Sequence, residues 1–498
     1  MRKWAKGFML LLTIVMVLTA CSGGGASSGS TTTTTNEAAN GGNNEATNAN
    51  ANAEEGNAEG NNANANAETE GEDATNEAVA SDAVANFPKS EIDPNLSGEV
   101  TYWTFIDNKK YDGEILKAFN AAYPNIKVKT VFVPFADLHN KLQTTLAAGK
   151  GAPDVALVEQ GQFPRYSTGG VLTDLLQAPF NAGKYKDYVS EYNWNRWSSI
   201  DGTQLLGMPW DVTPSVTYYR ADIFEELGLP SDPTELGEYI QDPENFFTLA
   251  QTLKASGKWA MEWRDSPVHW LGDSFGYYDK ELNWVRNTDE FVKFLDISKR
   301  VNQLKIAPHD GIYSDKGKQR VKKGESVMYV SGTYAPRDLA LNFPEQKGKW
   351  KTTSAPFGLN FGAGGSTFVL PAQSQNQEAA YAFIEWITTT EAAWKLQVEQ
   401  SIQPDWKNIT ELDWYQNHTN AYLGDQSDFS FYSSLTDKLP VRRYTTLDGL
   451  AWPIWVENVI KALDKNIDSK TAIQQAQEDI EKKLKPEKDK LLKLMQQQ

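Results

Sequence analysis

One cysteine, Cys21, stands in 498 residues, so no disulfide can form within a chain and the folded part must rest on packing alone. From Ser22 to Asn86 there is no Lys, no Arg and no aromatic residue; Asn, Ala, Gly and Thr dominate, and eleven Glu and Asp carry the only charge. Such a stretch cannot bury enough apolar surface to offset its conformational entropy and is expected to be disordered. Its 65 residues would span roughly 40 to 50 Å as a flexible coil and about 200 Å fully extended. A tolerated insertion of unselected length accounts for it as well as a spacer does. The chain also lacks HExxH, a GxSxG elbow and a P-loop, and FGAGG at 361–365 is not the dinucleotide fingerprint GxGxxG. The histidines, His139, His269, His309 and His418, show no metal-ligand spacing, and DNKKYDGE and HDGIYSDKG lack the ligand rhythm of an EF-hand. These absences point away from an enzyme and give no cofactor and no metal site, with a structural calcium left open as an unsupported possibility. The formal charge of −17 divides into +3 before Cys21, −11 in the tether and −9 from residue 87 onward. A mildly acidic domain without a basic stripe excludes nucleic acid as the expected ligand.

At the N-terminus, MRKWAK is a basic segment followed by eleven residues, Phe8 to Leu18, interrupted only by Thr13. That run is too short to span a bilayer and has the length of a signal-peptide core. Leu18-Thr19-Ala20-Cys21 matches the lipobox of bacterial lipoproteins, in which the cysteine is acylated and becomes the mature N-terminus; a signal peptide with a chance Cys is the alternative. The expected organisation is a signal peptide at 1–20, lipidated Cys21, a tether at 22–95 and a domain at 96–498, on the outer face of the cell membrane.

About 400 residues remain, too many for one hydrophobic core, so two lobes are expected. VTYWTF (100–105), IKVKTVFV (126–133) and DVALV (154–158) read as strands. Between them, Ile115, Leu116, Phe119, Ala122 and Tyr123 form one helical face, and Leu138, Leu142 and Leu146 form another. GESVMYV (324–330) and GGSTFVLP (364–371) are further strands; Tyr381, Ile384 and Ile387 mark a helix, as do Ile473, Ala476, Ile480 and Leu484 behind a capping box of Thr471 and Gln474. The alternation argues for α/β sheets covered by helices.

Four segments resemble the carbohydrate-binding extracellular solute-binding proteins of ABC importers, the family that includes maltose-binding protein. They are residues 100–129 with 149–175, GMPWDVTPSVTYYRADIFEELGLP at 207–230, VKKGESVMYVSGTYAPRDL, and the APFG to FIEWI stretch. The resemblance implies a periplasmic-binding-protein-like fold, two discontinuous α/β lobes joined by a hinge with the ligand cleft between them. Lobe 1 would hold 98–211 and 366–400, and lobe 2 would hold 212–365 and 401–498. The crossings fall near Asp211 to Ser215, near Gly364 to Thr367, and again around residue 400. It further implies a monomer that binds a carbohydrate, meets permease subunits and stays at the membrane through Cys21.

Sugars offer apolar faces that stack on aromatic rings and hydroxyl rims that need acidic or amide partners. The chain has 16 Trp and 20 Tyr, all but Trp4 in the folded part, most of them expected in the core. By position, Trp103, Phe105 and Asp107 lie at the end of the first strand and Glu159 and Gln160 at the end of the third, where an α/β sheet opens its crevice. By resemblance, Trp210 and Asp211 sit at the hinge, the latter holding hydroxyls; Asp265 and Trp270 belong to a second-lobe contact loop; Tyr334 replaces a stacking Trp. Gly364 and Gly365 are backbone donors near the ligand or a turn before a strand, and Trp452 is favoured over Trp455 as a late cleft aromatic. Asp211→Ala and Trp103→Ala are then expected to weaken sugar binding with stability nearly unchanged. Two other functions fit the sequence: a secreted glycoside hydrolase using two carboxylates, and a sensory protein presenting its ligand to a receptor kinase.

Overall fold

The computed structural model describes residues 81–441 and 444–495. The signal peptide, Cys21 and the tether up to residue 80 lie outside the described residues. Two sheets organise the rest. In the first lobe the strand order is β2-β1-β3-β8-β4, built from β1 (Gly98–Thr104), β2 (Ile126–Phe132), β3 (Val155–Glu159), β4 (Met208–Pro209) and β8 (Ser366–Val369). Strands β1, β2 and β3 run parallel, joined by the helices Lys109–Ala122 and Phe135–Ala147, while β8 runs antiparallel to β3 and β4. Central β3 is buried from Val155 to Val158, as its unbroken apolar run implies, whereas edge strand β2 alternates. Ile115, Phe119 and Tyr123 are buried as expected and Leu116 packs beside them, but Ala122, at the end of its helix, is exposed. Asp154, before β3, receives the Thr101 N–H at 2.8 Å and the Ser374 hydroxyl at 2.6 Å, which ties the strand entrance to both neighbours.

The second lobe is built on an antiparallel sheet of order β6-β5-β7, from β5 (Val216–Arg220), β6 (Met328–Ser331) and β7 (Trp350–Ser354). One face, with Tyr219 and Met328, packs into a core shared with the helices Asp289–Leu304, Thr446–Lys465 and Ser469–Met495. The other face, with Tyr218, Tyr329 and Trp350, is covered by residues 415–435, where the Tyr218 and Tyr432 hydroxyls meet at 3.1 Å. The chain thus crosses between lobes three times, from β4 to β5, from β7 to β8, and again after Gln403 on its way to the C-terminal helices of the second lobe. The crossing segments pair with each other: Ser215 N donates to Phe361 O at 2.8 Å and Ala363 N to Thr213 O at 2.8 Å.

Three boundaries differ from expectation. The packed domain begins before residue 96: Phe87 stacks on Tyr185 at 5.4 Å and meets Trp406 edge-on at 6.2 Å, and Ile92 and Leu96 join the same core. The chain does not leave the first lobe at 401. Val212 N donates to Gln403 O at 3.0 Å, making a third hinge segment, and Trp406 still bonds Pro209 O at 3.2 Å. The last helix starts at Ser469, with Asp468 accepting the Thr471 N–H at 2.9 Å, so Thr471 lies inside the first turn and Asp468 does the capping.

The Trp103 side chain belongs to this core. Its strand neighbours are Val131 and Ala156, it is 6% exposed, and the Lys141 ammonium lies 4.2 Å over its ring. The pleat turns it inward, correcting its placement in the cleft. Trp103→Ala should therefore cost about 3 to 5 kcal/mol of stability, read by denaturant unfolding; a change under about 0.5 kcal/mol, the scale of surface substitutions, would return the ring to the surface.

Candidate functional site

The hinge is assembled around one guanidinium. Arg196 ends the short helix Glu191–Arg196 and is 2% exposed. Its Nε donates to Asn193 Oδ1 at 2.9 Å; Nη1 donates to Gln160 Oε1 at 3.1 Å, Tyr192 OH at 3.3 Å and Gly364 O at 3.0 Å; Nη2 donates to Asp211 O. One side chain thus bonds the end of β3 and two of the hinge segments. Gly365 lies against it with φ of 122°, and a Cβ there would come 2.5 Å from Nη2, so both the backbone angle and the close approach require glycine. Gly364 and Gly365 are therefore structural parts of the clamp as well as part of the cleft wall.

Three recesses with shared walls open from this hinge. The smallest, ≈ 270 Å³, is walled by Phe105, Glu159, Asp211, Tyr334, Gly364 and Gly365, with Arg337 and Asp338 beside them. It shares Glu159, Tyr334 and Gly364 with a middle recess of ≈ 500 Å³, where Gln160 from the first lobe faces Glu262, Trp263, Trp270 and Tyr313 from the second. Through Asp273 this continues into an outer recess of ≈ 740 Å³ bordered by Asn140, Arg165, Arg286 and Trp452. A separate recess of ≈ 420 Å³ at Pro233, Gln241 and Thr353 shares no lining residue with them.

Most of the expected site residues converge here: Phe105, Glu159, Gln160, Asp211, Trp270, Tyr334, Gly364 and Gly365 in the inner two recesses, and Trp452, 46% exposed, in the outer one. Trp210 borders the smallest recess, but it is buried against Phe368 and its indole N–H is used on Gln397. Asp107 is exposed and lines none of the three recesses. Asp265 also lies outside them, because it is held by His269 at 2.9 Å at the start of the helix Ser266–Phe275. Sequence reasoning missed Arg196, Glu262, Trp263 and Tyr313. Glu262 and Trp263 stand within WAMEWRDSPVHW, so the aromatic density of that stretch was the available signal; which of its residues face the cleft depends on a loop of no regular period.

Three carboxyls of this cleft are pushed up. Burial raises Glu159 to about 7, against the Gly161 N–H and the charge of Arg196. Burial raises Asp211 to about 6, against Arg196 and the Ser366 N–H. Burial raises Glu262 to about 7, with the Ile312 N–H opposing and Asp310 adding to the rise. The sign follows from proton linkage. A carboxyl whose folded pKa exceeds its unfolded value binds its proton more tightly when folded, so stability falls as pH rises from the unfolded value of about 4.5 towards about 7. Glu262→Gln should flatten that fall, matching the parent at pH 4 and exceeding it by about 1 to 3 kcal/mol at pH 8. Parallel pH curves in denaturant unfolding would contradict a buried, ionising Glu262.

The chemistry on offer is recognition of hydroxyl-rich, partly apolar molecules: aromatic rings on the second lobe face carboxylate and amide groups on the first. Among the described residues, no group of three or more His, Cys, Asp and Glu is placed to hold a metal ion.

The family model of the bacterial extracellular solute-binding proteins matches residues 102–394. An arabinooligosaccharide-binding protein of Bacillus subtilis (strain 168) is 25% identical over 367 residues, covering 68% of this chain and 82% of that one. A lactose-binding protein of Rhizobium radiobacter is 26% identical over 311 residues, covering 57% and 69%. Among solved structures, an extracellular solute-binding protein of family 1 superposes with a TM-score of 0.67 at 20% identity, covering 77% of this chain and 99% of that one. The galacto-N-biose-/lacto-N-biose I-binding protein of the ABC transporter from Bifidobacterium longum, in complex with lacto-N-biose, gives 0.64 at 21% identity, covering 78% and 98%. These likenesses show the two-lobed α/β fold.

Proposed function

The chain belongs to the bacterial extracellular solute-binding proteins, and from that premise we propose that its cleft captures an oligosaccharide outside the cell and delivers it to an ABC importer. The observation that carries this reading is the lining of the two inner recesses. Trp263, Trp270, Tyr313 and Tyr334 provide stacking faces, while Glu159, Gln160, Asp211 and Glu262 provide hydroxyl partners. A third recess, which shares Asp273 with the middle one, gives room for more than one sugar unit. The relatives support the ligand class, since those described above are named for arabinooligosaccharides and for lactose.

Binding would proceed by lobe closure. Only a closed cleft lets first-lobe carboxylates and second-lobe rings hold one ligand together, so a sugar that touches both shifts the population towards closure. No bond in the ligand changes. Acylation at Cys21 would keep the protein at the outer face of the membrane, where the tether confines it close to its permease partners.

The test is calorimetric titration of the protein with neutral arabino-, galacto- and gluco-oligosaccharides, with chromatography of each mixture afterwards. Saturable binding with the sugar recovered intact supports the reading. Cleavage would make Glu159, Asp211 and Glu262 candidates for acid and base chemistry instead. Silence across all three series would remove the carbohydrate assignment.

A further inference from the structure

The charged lining of the cleft is uneven. In the middle recess it consists of Glu159 from the first lobe and Glu262 and Asp273 from the second; no Lys, Arg or His borders it among the described residues. The nearby cations are engaged elsewhere. Arg196 is buried beneath Gly365 with its bonds directed to protein groups, two of them hinge carbonyls. Arg337, in the smallest recess, holds Asp338 Oδ1 through Nε at 3.1 Å and Nη2 at 3.0 Å. Arg165 and Arg286 appear only in the outer recess. The remaining polar groups of the middle recess include neutral hydroxyls, and those of Ser215 and Tyr329 are buried beside it with no hydrogen-bond partner among the described residues.

Resting on the sugar-binding reading above, we propose that Glu159 and Glu262 make the middle recess a charge filter, which admits uncharged sugar units and rejects those bearing a carboxylate, sulfate or phosphate. A neutral hydroxyl can donate to either carboxylate and accept from Ser215 or Tyr329. An anionic group would enter between carboxylates on opposite lobes, and closure would drive the like charges together while removing the water that screens them. Specificity of this kind arises from a built-in repulsion as much as from the contacts of the accepted ligand. Burial is the largest cause that lifts Glu159 and Glu262 to about 7, with Asp211 and Asp310 respectively adding to the rise, in keeping with a recess where negative charge is costly.

The experiment compares matched ligands on the full protein at pH 8, where both carboxyls are ionised. The probes are neutral galacto- and gluco-oligosaccharides and their uronate counterparts of the same length and linkage, titrated calorimetrically. The uronates should bind about a hundredfold more weakly, the scale of one unscreened like-charge contact at low effective dielectric. Glu262→Gln, whose Oε1 can still accept the Ile312 N–H, should narrow that ratio about tenfold; Glu159→Gln provides a second, independent variant. Uronates that bind as well as their neutral partners, or a ratio unmoved in both variants, would overturn the charge filter and leave sugar binding intact. If the neutral series fails to bind while the uronates bind tightly, the filter is likewise refuted. If neither series binds, the sugar-binding reading itself falls, and the filter with it.

Discussion

Replacing Arg196 with alanine is expected to lower the stability of the protein by about 3 to 5 kcal/mol, the cost of leaving buried partners of a charge without it. The substitution strips hydrogen bonds from Gln160, Asn193, Tyr192 and the carbonyls of Asp211 and Gly364 at once. It also removes the positive charge that holds down the carboxyls of Glu159 and Asp211, and a cation lying 4.5 Å over the ring of Trp197. Lysine should recover only part of the loss. A single ammonium keeps the charge but cannot fork between the end of β3 and two hinge carbonyls. Denaturant unfolding of both variants decides the matter: if alanine costs less than about 1 kcal/mol, within the ordinary range for point substitutions, the hinge is held by its backbone pairing and the clamp is incidental.

Trp263→Ala should do the reverse. Its side chain is 45% exposed on the wall of the middle recess, so its removal should leave stability within about 0.5 kcal/mol of the parent. Affinity for an oligosaccharide should fall about 10- to 100-fold, since a rigid aromatic wall in a desolvated site is where binding energy concentrates. Trp452 offers an internal comparison. It borders only the outer recess, so its removal should weaken the longer members of a ligand series and spare the shortest. Equal losses at every length would place Trp452 against the first sugar units and shorten the cleft.

The mutational contrast between Trp103 and Trp263 shows how much of the site was legible beforehand. Both are tryptophans near a strand end or in an aromatic-rich loop. Trp103 was favoured because the end of β1 opens towards the crevice, but the pleat of the strand sends it into the core and leaves that opening to Phe105. Asp265 and Glu262 reversed in the same way: the first is held by its own helix through His269, while the second is turned into the recess with its Oε1 on Ile312 N. Glu159, Gln160 and Asp211 line the inner recesses; the first two were expected there because pattern locates a strand end, and Asp211 because the family resemblance places the hinge crossing.

By itself, the sequence determined the quantities that are local or additive. Apolar alternation marked β2, an unbroken apolar run marked β3, and an apolar period of about 3.6 marked the helices between the strands. The absence of any apolar or basic residue pattern marked the stretch that cannot hold a core. Tertiary structure alone decided what depends on residues distant in the chain meeting. Arg196, an ordinary basic residue at a helix end, becomes the hinge clamp only because Gln160, Asp211 and Gly364 arrive from three other segments. The middle recess is acidic because Glu159 and Glu262, separated by 103 positions, face one space from opposite lobes beside Asp273, with no cation lining it among the described residues. Neither fact is written in a local pattern, since electrostatic and hydrogen-bond partners are set by proximity in space and the chain crosses the hinge three times to create it.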